Sequence, residues 1–598
     1  MLDEFLLKNL YISLNEKFPK NILFGEISGN QIRDISTEEY KSIIANYASG
    51  LISLGISKGD RVVLKLADGK NWHFLDYAIQ LIGAVCVPLF LEMENSEFIS
   101  ILKELKPKAF IGEISDLTAI DTANIQNLQF LIGDEFRKSN ALRHSFISLE
   151  DIYKRGQFSI KENDNLFLSR IDLVDENDIA TIIYTSGTTG KPKGYIFTHS
   201  EIAHALYNIE KSFHWNITQQ DSTLSILPMA HITGRINAYS PLLFGCKLIF
   251  PTNKSDIITN FKIVQPTFIF GVPKILKKIY SVARRLFLER HAILGRQIID
   301  WAYASSFKFF QKIDNDLSPD TSEIFKRNFA FKIVFSSVKE IFGGKLKFVI
   351  SGGSALPSFI FDILRFSNIT PIEGYGLSEC FGPCCINPFF KQVSKSAGIP
   401  IHGNLIKLAE SQEIILKSPS LAKAYLTLDG PTTVPLDRNG WFHTGDIGKF
   451  SHEGHICILG RKENLIETHG RKLHPEQLEI IFEELRYIHY STFLLIDGRL
   501  QLFIFPDWPK LQNDFKLSGS SSELLTNAPL LAKLTNQVKK GMAKIDINIG
   551  EVHINIVLQS PSPSNGILTP TLKVRRDRIQ AVFGQNPEQF LSLALGDI

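Results

Sequence analysis

Residues 185–194 read TSGTTGKPKG. Three glycines, four hydroxyl side chains and two lysines share ten positions. Gly187, Gly190 and Gly194 free the backbone to turn at positive φ and to let a ligand approach closely. Successive N–H groups, with the hydroxyls of Thr185, Ser186, Thr188 and Thr189, can then donate to phosphate oxygens. Lys191 and Lys193 add positive charge. The loop joins two short strands, TIIY before it and YIF after it, so it reads as a phosphate-holding hairpin. A P-loop has four residues between its glycines, then Lys and Ser/Thr, then a helix. Here two residues separate Gly187 from Gly190, and Pro192 follows the lysine. An ordinary Gly/Thr hairpin needs neither this hydroxyl density nor the two lysines.

On either side of the loop, helical stripes alternate with β-branched runs. EEYKSIIANYASGLISLGI, from Glu38, predicts an amphipathic helix, and DRVVLKL, from Asp60, a strand. WHFLDYAIQLIGA and CVPLFL repeat the pair. This alternation predicts an α/β protein with largely parallel strands. A chain of 598 residues exceeds a single core and predicts a few domains.

Composition excludes several classes. Apolar content of 44% and charged content of 21% are ordinary for a globular protein. A formal charge of +3 gives no general reason for a nucleic-acid partner. The short basic run KVRRDR reads as a solvated face. Asp3 and Glu4 argue against a signal peptide. The most apolar run, Tyr77 to Leu91, contains Gln80, Gly83 and Pro88, and it falls short of the ~20 residues of a membrane span. It predicts a buried helix leading into a buried strand. Six scattered cysteines in a large chain fit a reduced, cytoplasmic setting. CFGPCC lacks metal-ligand spacing and reads as small buried thiols. Residues 274–310 show helical spacing with basic residues on one side. That stretch reads as a solvated surface helix pair, or as a peripheral contact at the inner face of a membrane.

Further motifs follow in order. SGGSALP (351–357) comes after the apolar strand LKFVI, where tight glycines let a flat ring lie against backbone. EGYGLSEC (373–380) flanks Tyr375 with Gly374 and Gly376, offering an aromatic face for stacking. In the same motif Glu379 is a hard oxygen donor suited to Mg²⁺, and Ser378 can hydrogen-bond a phosphate. GWFHTGDIG (440–448) sets Asp446 between glycines, where a carboxylate can accept from both hydroxyls of a ribose. GRKENLIETHGRKLHPEQLE (460–479) carries Arg461 and Gly470. GILTPTLKVRRDRI (566–579) carries Lys573.

YTSGTTGKPKG resembles the signature of the adenylate-forming superfamily, and the later motifs follow in that family's order. LPMAHITGR (227–235), QPTFIFGVPKILKKIY (265–280) and LTPTLK most resemble long-chain fatty acyl-CoA synthetases. The resemblance runs from about residue 20 to 580. It implies a large N-terminal domain of layered sheets and helices, residues 1–459, and a small mobile C-terminal α+β domain, residues 460–598. It implies that ATP is held by the 185–193 loop, with Gly352, Gly353 and Ser354 at the adenine. Tyr375 would stack there, Asp446 would hold the ribose, Arg461 would be the second ribose or phosphate contact, and Glu379 would bind Mg²⁺. His231 would border the acyl site, Lys573 would act in catalysis, Glu463 would be the pivot, and Gly470 would face the pantetheine of coenzyme A. Gln412 stands where the family usually has glycine, and Ser378 where threonine is usual.

Phe268, Phe270, Gly271 and Val272 offer an apolar wall with room beside a glycine, which suits an alkyl chain. No acid in these segments would pair with an amino acid's ammonium group. The expected reaction is adenylation of a fatty acid followed by transfer to coenzyme A. Transfer to a carrier protein, a catalytically silent relative and luciferase-like oxidation remain as alternatives. Monomer and homodimer are both open.

Overall fold

In the computed structural model the chain is described over residues 2–593, except 20, 114–124, 134–144, 164, 186–191, 214–215, 253–255, 292, 428–429, 469, 546, 548–550, 564, 570–571 and 584–589. The predicted alternation folds into layers. Ser36 starts the helix Thr37–Ser53, its side chain accepting from the Glu39 N–H. Tyr40, Ile44 and Leu51 of that helix face the core with no exposed area. The helix Lys70–Leu81 then leads into the strand Val85–Pro88, both buried as the apolar run predicts.

The largest sheet places the strands Val85–Pro88, Arg61–Lys65, Ala109–Gly112, Phe130–Ile132 and Ser145–Ile147 side by side and parallel. Ile179–Thr185 joins them in parallel and turns back into Lys193–Thr198 as an antiparallel hairpin. The TIIY and YIF expectation therefore holds, and Thr185 pairs with Lys193 at the loop end of the hairpin. Ser186, Gly187, Thr188, Thr189, Gly190 and Lys191 lie outside the described residues.

A second sheet aligns Phe268–Gly271, Phe348–Ser351 and Thr370–Leu377 in parallel, then continues antiparallel through Gly382–Ile386. In its register Gly271 sits beside Ser351, and Ser351 beside Glu373. The sequence segments VPK, GGS and GYGLSE therefore leave three neighbouring strand ends on one edge, where parallel α/β sheets bind ligands. A third, antiparallel sheet carries Glu413–Lys417, Phe442–Phe450 and Ile456–Arg461.

A buried ion pair ties these layers. Arg235 and Asp76 are almost wholly buried and meet at 2.5 Å, with Tyr239 donating to the same carboxylate at 2.8 Å. Arg235 also donates to Thr181, on the strand that leads to the phosphate hairpin, at 2.8 Å. Removing one member would strand a buried charge, at about 3–5 kcal/mol.

The large core draws residues from Phe5 to Phe442, and a separate one from Ile466 to Ile556. The strands Ile488–Ile496, Arg499–Pro506 and Val552–Val557 share one sheet. On one face this sheet packs the helices Pro475–Glu483 and Ala528–Met542, and on the other Arg576–Phe583. The basic stretch forms the helices Pro273–Arg290 and Gly295–Asp314, followed by Thr321–Ala330, which an Asp320/Glu323 capping box opens. No helix among the described residues is long and apolar enough to cross a membrane.

Candidate active site

The glycine-rich turns gather around the edge of the second sheet. Gly353 turns at φ +84°, and a Cβ on Gly352 would lie 3.6 Å from the Gly374 carbonyl. The SGGS and EGYG segments are therefore in backbone contact. Gly376 has a stricter reason to be glycine, because a Cβ there would come within 2.4 Å of the Gly382 carbonyl on the neighbouring strand. Ser378 and Glu379 follow on a short turn, Ser378–Cys380, both half-buried. Burial, and then the neighbouring Glu379 carboxylate, raise the pKa of Tyr195. The carbonyl of Glu379 accepts from the Ala422 N–H at 2.8 Å.

Tyr375 differs from the sequence reading. Its hydroxyl donates to Asp446 Oδ2 at 2.6 Å, so the residue supplies a hydrogen-bonding tip as well as a ring face. Asp446 and Arg461 are register partners on adjacent strands, and Arg461 Nε meets Asp446 Oδ1 at 3.1 Å. Each carboxylate oxygen thus has one fixed donor and retains further lone pairs. Burial raises the Asp446 pKa, and Arg461 and the Tyr375 hydroxyl oppose that rise. Arg461 is anchored in turn by Thr444 O at 3.1 Å.

Glu413 is not among the residues that the sequence motifs single out, yet it organises this corner. It is buried and accepts from the Gly445 N–H at 3.0 Å. It also takes Lys462 Nζ at 2.9 Å and faces His443 Nδ1 at 3.2 Å. One carboxylate therefore fixes the backbone before Asp446 and the residue after Arg461. Gln412 itself stands at φ +64°, which explains why glycine suits the position.

Lys573 comes from the small lobe, retains exposed surface, and joins the same charge cluster. Desolvation lowers its pKa and Arg461 adds to the fall, while Asp446 and Glu379 oppose it. His231 is brought close as well. Burial first, and then the Lys573 charge, push it down to about 4, so the imidazole is neutral at pH 7. His231 also has a structural task, since it caps the helix Ile232–Phe244 by accepting from the Thr233 N–H at 3.2 Å. Lys193 lies 5.4 Å from the centre of the Tyr425 ring at the hairpin's mouth. Gly470 is placed apart, at φ +71° in open space on the hairpin between Ile466–Thr468 and Arg471–Leu473. Cys380, Cys384 and Cys385 are buried free thiols, as their spacing predicts.

Among the described residues no group of three or more His, Cys, Asp or Glu is arranged to hold a metal. Glu379 offers one carboxylate beside the cationic groups. That donor set fits Mg²⁺, which commonly takes one or two carboxylates with substrate phosphates completing its shell.

The profile of the family described as AMP-binding enzyme matches residues 16–426. The chain is 26% identical over 596 residues to the long-chain-fatty-acid–CoA ligase FadD15 of Mycobacterium bovis, covering 95% of this chain and 94% of that protein. To the human long-chain-fatty-acid–CoA ligase 1 it is 27% identical over 443 residues, 68% of this chain and 60% of that one. Among solved structures, the adenylation domain of a carboxylate reductase from Mycobacterium chelonae superposes with a TM-score of 0.73 at 18% identity. That superposition covers 98% of this chain and 90% of the other. The anthranilate–CoA ligase AuaEII, solved with anthranoyl-AMP, gives 0.65 at 16% identity, over 96% of both chains. With the family profile covering more than half its length, and with the layered sheets of an adenylate-forming fold, the chain belongs to the AMP-binding enzyme family.

Proposed function

We propose that this protein activates a fatty acid, of long chain by preference, with ATP and transfers the acyl group to coenzyme A. The observation that carries the reading is the convergence of Glu379, Asp446 and Arg461 with Lys573 from the small lobe. Asp446 and Arg461 would hold the ribose, with the Tyr375 hydroxyl fixing the carboxylate. Gly352, Gly353 and Ser354 would line the adenine, and the hairpin 185–193 would steady the pyrophosphate. Mg²⁺ held by Glu379 would neutralise phosphate charge.

The substrate carboxylate oxygen attacks the α-phosphorus of ATP. A new O–P bond forms, the bond to the bridging oxygen breaks, and pyrophosphate departs. Negative charge builds on the α-phosphate, and the Lys573 ammonium meets it there. No protein nucleophile is required. In the second step the sulfur of coenzyme A bonds the acyl carbon, AMP leaves, and the thiol proton is released. Neutral His231 at the acyl side places no second cation against the alkyl chain.

Residues 460–598 are proposed to move as a unit, with Glu463 the pivot and Gly470 reaching the pantetheine path after rotation. The segment 273–332 supports a further contact, with an anionic membrane surface. It holds twelve Lys/Arg against six Asp/Glu, a larger positive excess than the chain's +3. On its outer side Phe325 is 69% exposed and Ile293 90%. Basic residues beside exposed aromatic and aliphatic ones suit an anionic interface.

The test is a panel of free acids, from short to very long, scored for AMP formation with and without coenzyme A. Greatest AMP formation with long alkyl acids, dependent on coenzyme A for turnover, supports the reading. Preference for short polar or aromatic acids overturns the substrate class. Turnover that ignores coenzyme A but responds to an acyl-carrier protein overturns the acceptor.

A further inference from the structure

Lys274 crosses from the large lobe to the small one at the root of Lys573. It occupies the second position of the helix Pro273–Arg290, directly after the strand Phe268–Gly271. Its Nζ donates to the Leu572 carbonyl at 2.5 Å. It also lies 3.3 Å from the centre of the Tyr490 ring, a buried residue of the small lobe. Burial lowers the Lys274 pKa to about 7; Glu483, also of the small lobe, opposes that fall and Lys277 adds to it. One large-lobe amino group is therefore held by a small-lobe carbonyl and a small-lobe π face.

The carbonyl it holds belongs to a constrained turn. Leu572 stands at φ +62°, a left-handed conformation disfavoured for a residue with a branched side chain. Its N–H donates to Thr569 O at 2.8 Å, and Thr569 N–H donates to Lys573 O at 2.8 Å. The Lys573 N–H donates to Thr569 Oγ1 at 3.0 Å. Leu572 C=O and Lys573 N–H are two ends of one peptide plane. Lys274 fixes the oxygen end and Thr569 the nitrogen end, so the plane from which the Lys573 side chain departs cannot rotate. Among the described contacts of this turn the Lys274 one comes from the other lobe, and it exists only while the lobes face each other in this way.

We propose that Lys274 is a positioning residue for Lys573: it clamps the Leu572–Lys573 peptide across the lobe interface and so aims the Lys573 ammonium for adenylation, taking no part in thioester formation. The proposal rests on the reading of Lys573 as the adenylating lysine. Because it acts through Lys573, its loss affects one half-reaction only, and its effect disappears when Lys573 is absent.

The experiment uses the full chain with Lys274→Met, Lys274→Arg, Lys573→Ala and the Lys274→Met/Lys573→Ala double variant. Dodecanoic acid-dependent ATP–pyrophosphate exchange reports adenylation, and conversion of supplied dodecanoyl-AMP with coenzyme A reports thioester formation. Lys274→Met is expected to lower exchange about 10- to 100-fold, in line with the loss of a charge-assisted contact. Conversion of dodecanoyl-AMP by the same preparation should stay within about twofold, which also shows that the variant is folded. Lys274→Arg should keep most of the exchange, and the double variant should lose no more than Lys573→Ala alone.

If Lys573→Ala abolishes exchange while Lys274→Met leaves it at the wild-type level, the clamp is wrong and the adenylating lysine stands. Equal loss of both half-reactions in Lys274→Met, or multiplying losses in the double variant, would likewise overturn the clamp. Full exchange in Lys573→Ala would bring down the reading beneath it, and the clamp with it.

Discussion

Removing one oxygen, by Tyr375→Phe, separates two roles that the sequence alone runs together. The ring remains for stacking, while the 2.6 Å hydrogen bond to Asp446 is lost. A hydrogen bond to a charged acceptor contributes about 1.5–3 kcal/mol. Arg461 still holds the other oxygen at 3.1 Å, so the carboxylate keeps one restraint of two. The lower end of the range therefore applies, about 1.5 kcal/mol, which is roughly a tenfold rise in KM for ATP with little change in kcat. Tyr375→Leu, which removes ring and hydroxyl together, should cost at least as much again.

The assay is initial-rate kinetics of AMP formation at saturating fatty acid, read as a double-mutant cycle with Asp446→Asn. The cycle should return a coupling of about 1 kcal/mol or more, since the two side chains touch. A Tyr375→Phe enzyme with wild-type KM for ATP, and a coupling below about 0.5 kcal/mol, would refute the view that Tyr375 fixes Asp446.

Three other outcomes follow from particular residues. Gln412 sits at φ +64°, so Gln412→Gly should raise stability by about 0.5–1 kcal/mol, seen as a higher denaturation midpoint at unchanged slope. Glu373 is buried, its carboxyl pushed up to about 8 by burial, with the Leu356 N–H opposing. Its folded-state pKa lies above its unfolded value of 4.5, so folding takes up a proton between those pH values. That contribution to stability is full below about pH 4.5 and falls as the pH rises to about 8, by ~1.4 kcal/mol per unit at the steepest. Glu373→Gln should flatten the slope in chemical denaturation, and an unchanged slope would contradict the protonated state. Replacing Phe325 and Phe329 with serine should weaken sedimentation with phosphatidylglycerol vesicles about tenfold and leave activity on dispersed acid unchanged. Equal sedimentation of both proteins would remove the membrane contact.

The layered architecture was legible in the sequence because its signals are local. The stripe of Tyr40, Ile44 and Leu51 and the run Val85–Pro88 each fix an element without reference to the rest of the chain. The glycine-framed motifs were legible for a similar reason: Gly376 reports a close backbone approach through its own identity. Contacts between distant segments left no such trace. Glu413 looks like any strand glutamate until Gly445, His443 and Lys462 are folded onto it. The Glu379 charge acts on Tyr195 across nearly two hundred residues of sequence, and nothing in YIF announces it. Lys274 sits in a run with two more lysines, and only the lobe interface distinguishes it. The Tyr375 hydroxyl was hidden by its own ring, since an aromatic between glycines suggests stacking before hydrogen bonding.

The most direct measurement compares wild type with Lys573→Ala in the two half-reactions of one preparation. If Lys573 meets the charge that builds on the α-phosphate, fatty-acid-dependent ATP–pyrophosphate exchange falls at least about a hundredfold. Supplied acyl-AMP is still converted to the thioester at close to the wild-type rate. Undiminished exchange, or a parallel loss of both steps, would contradict the account.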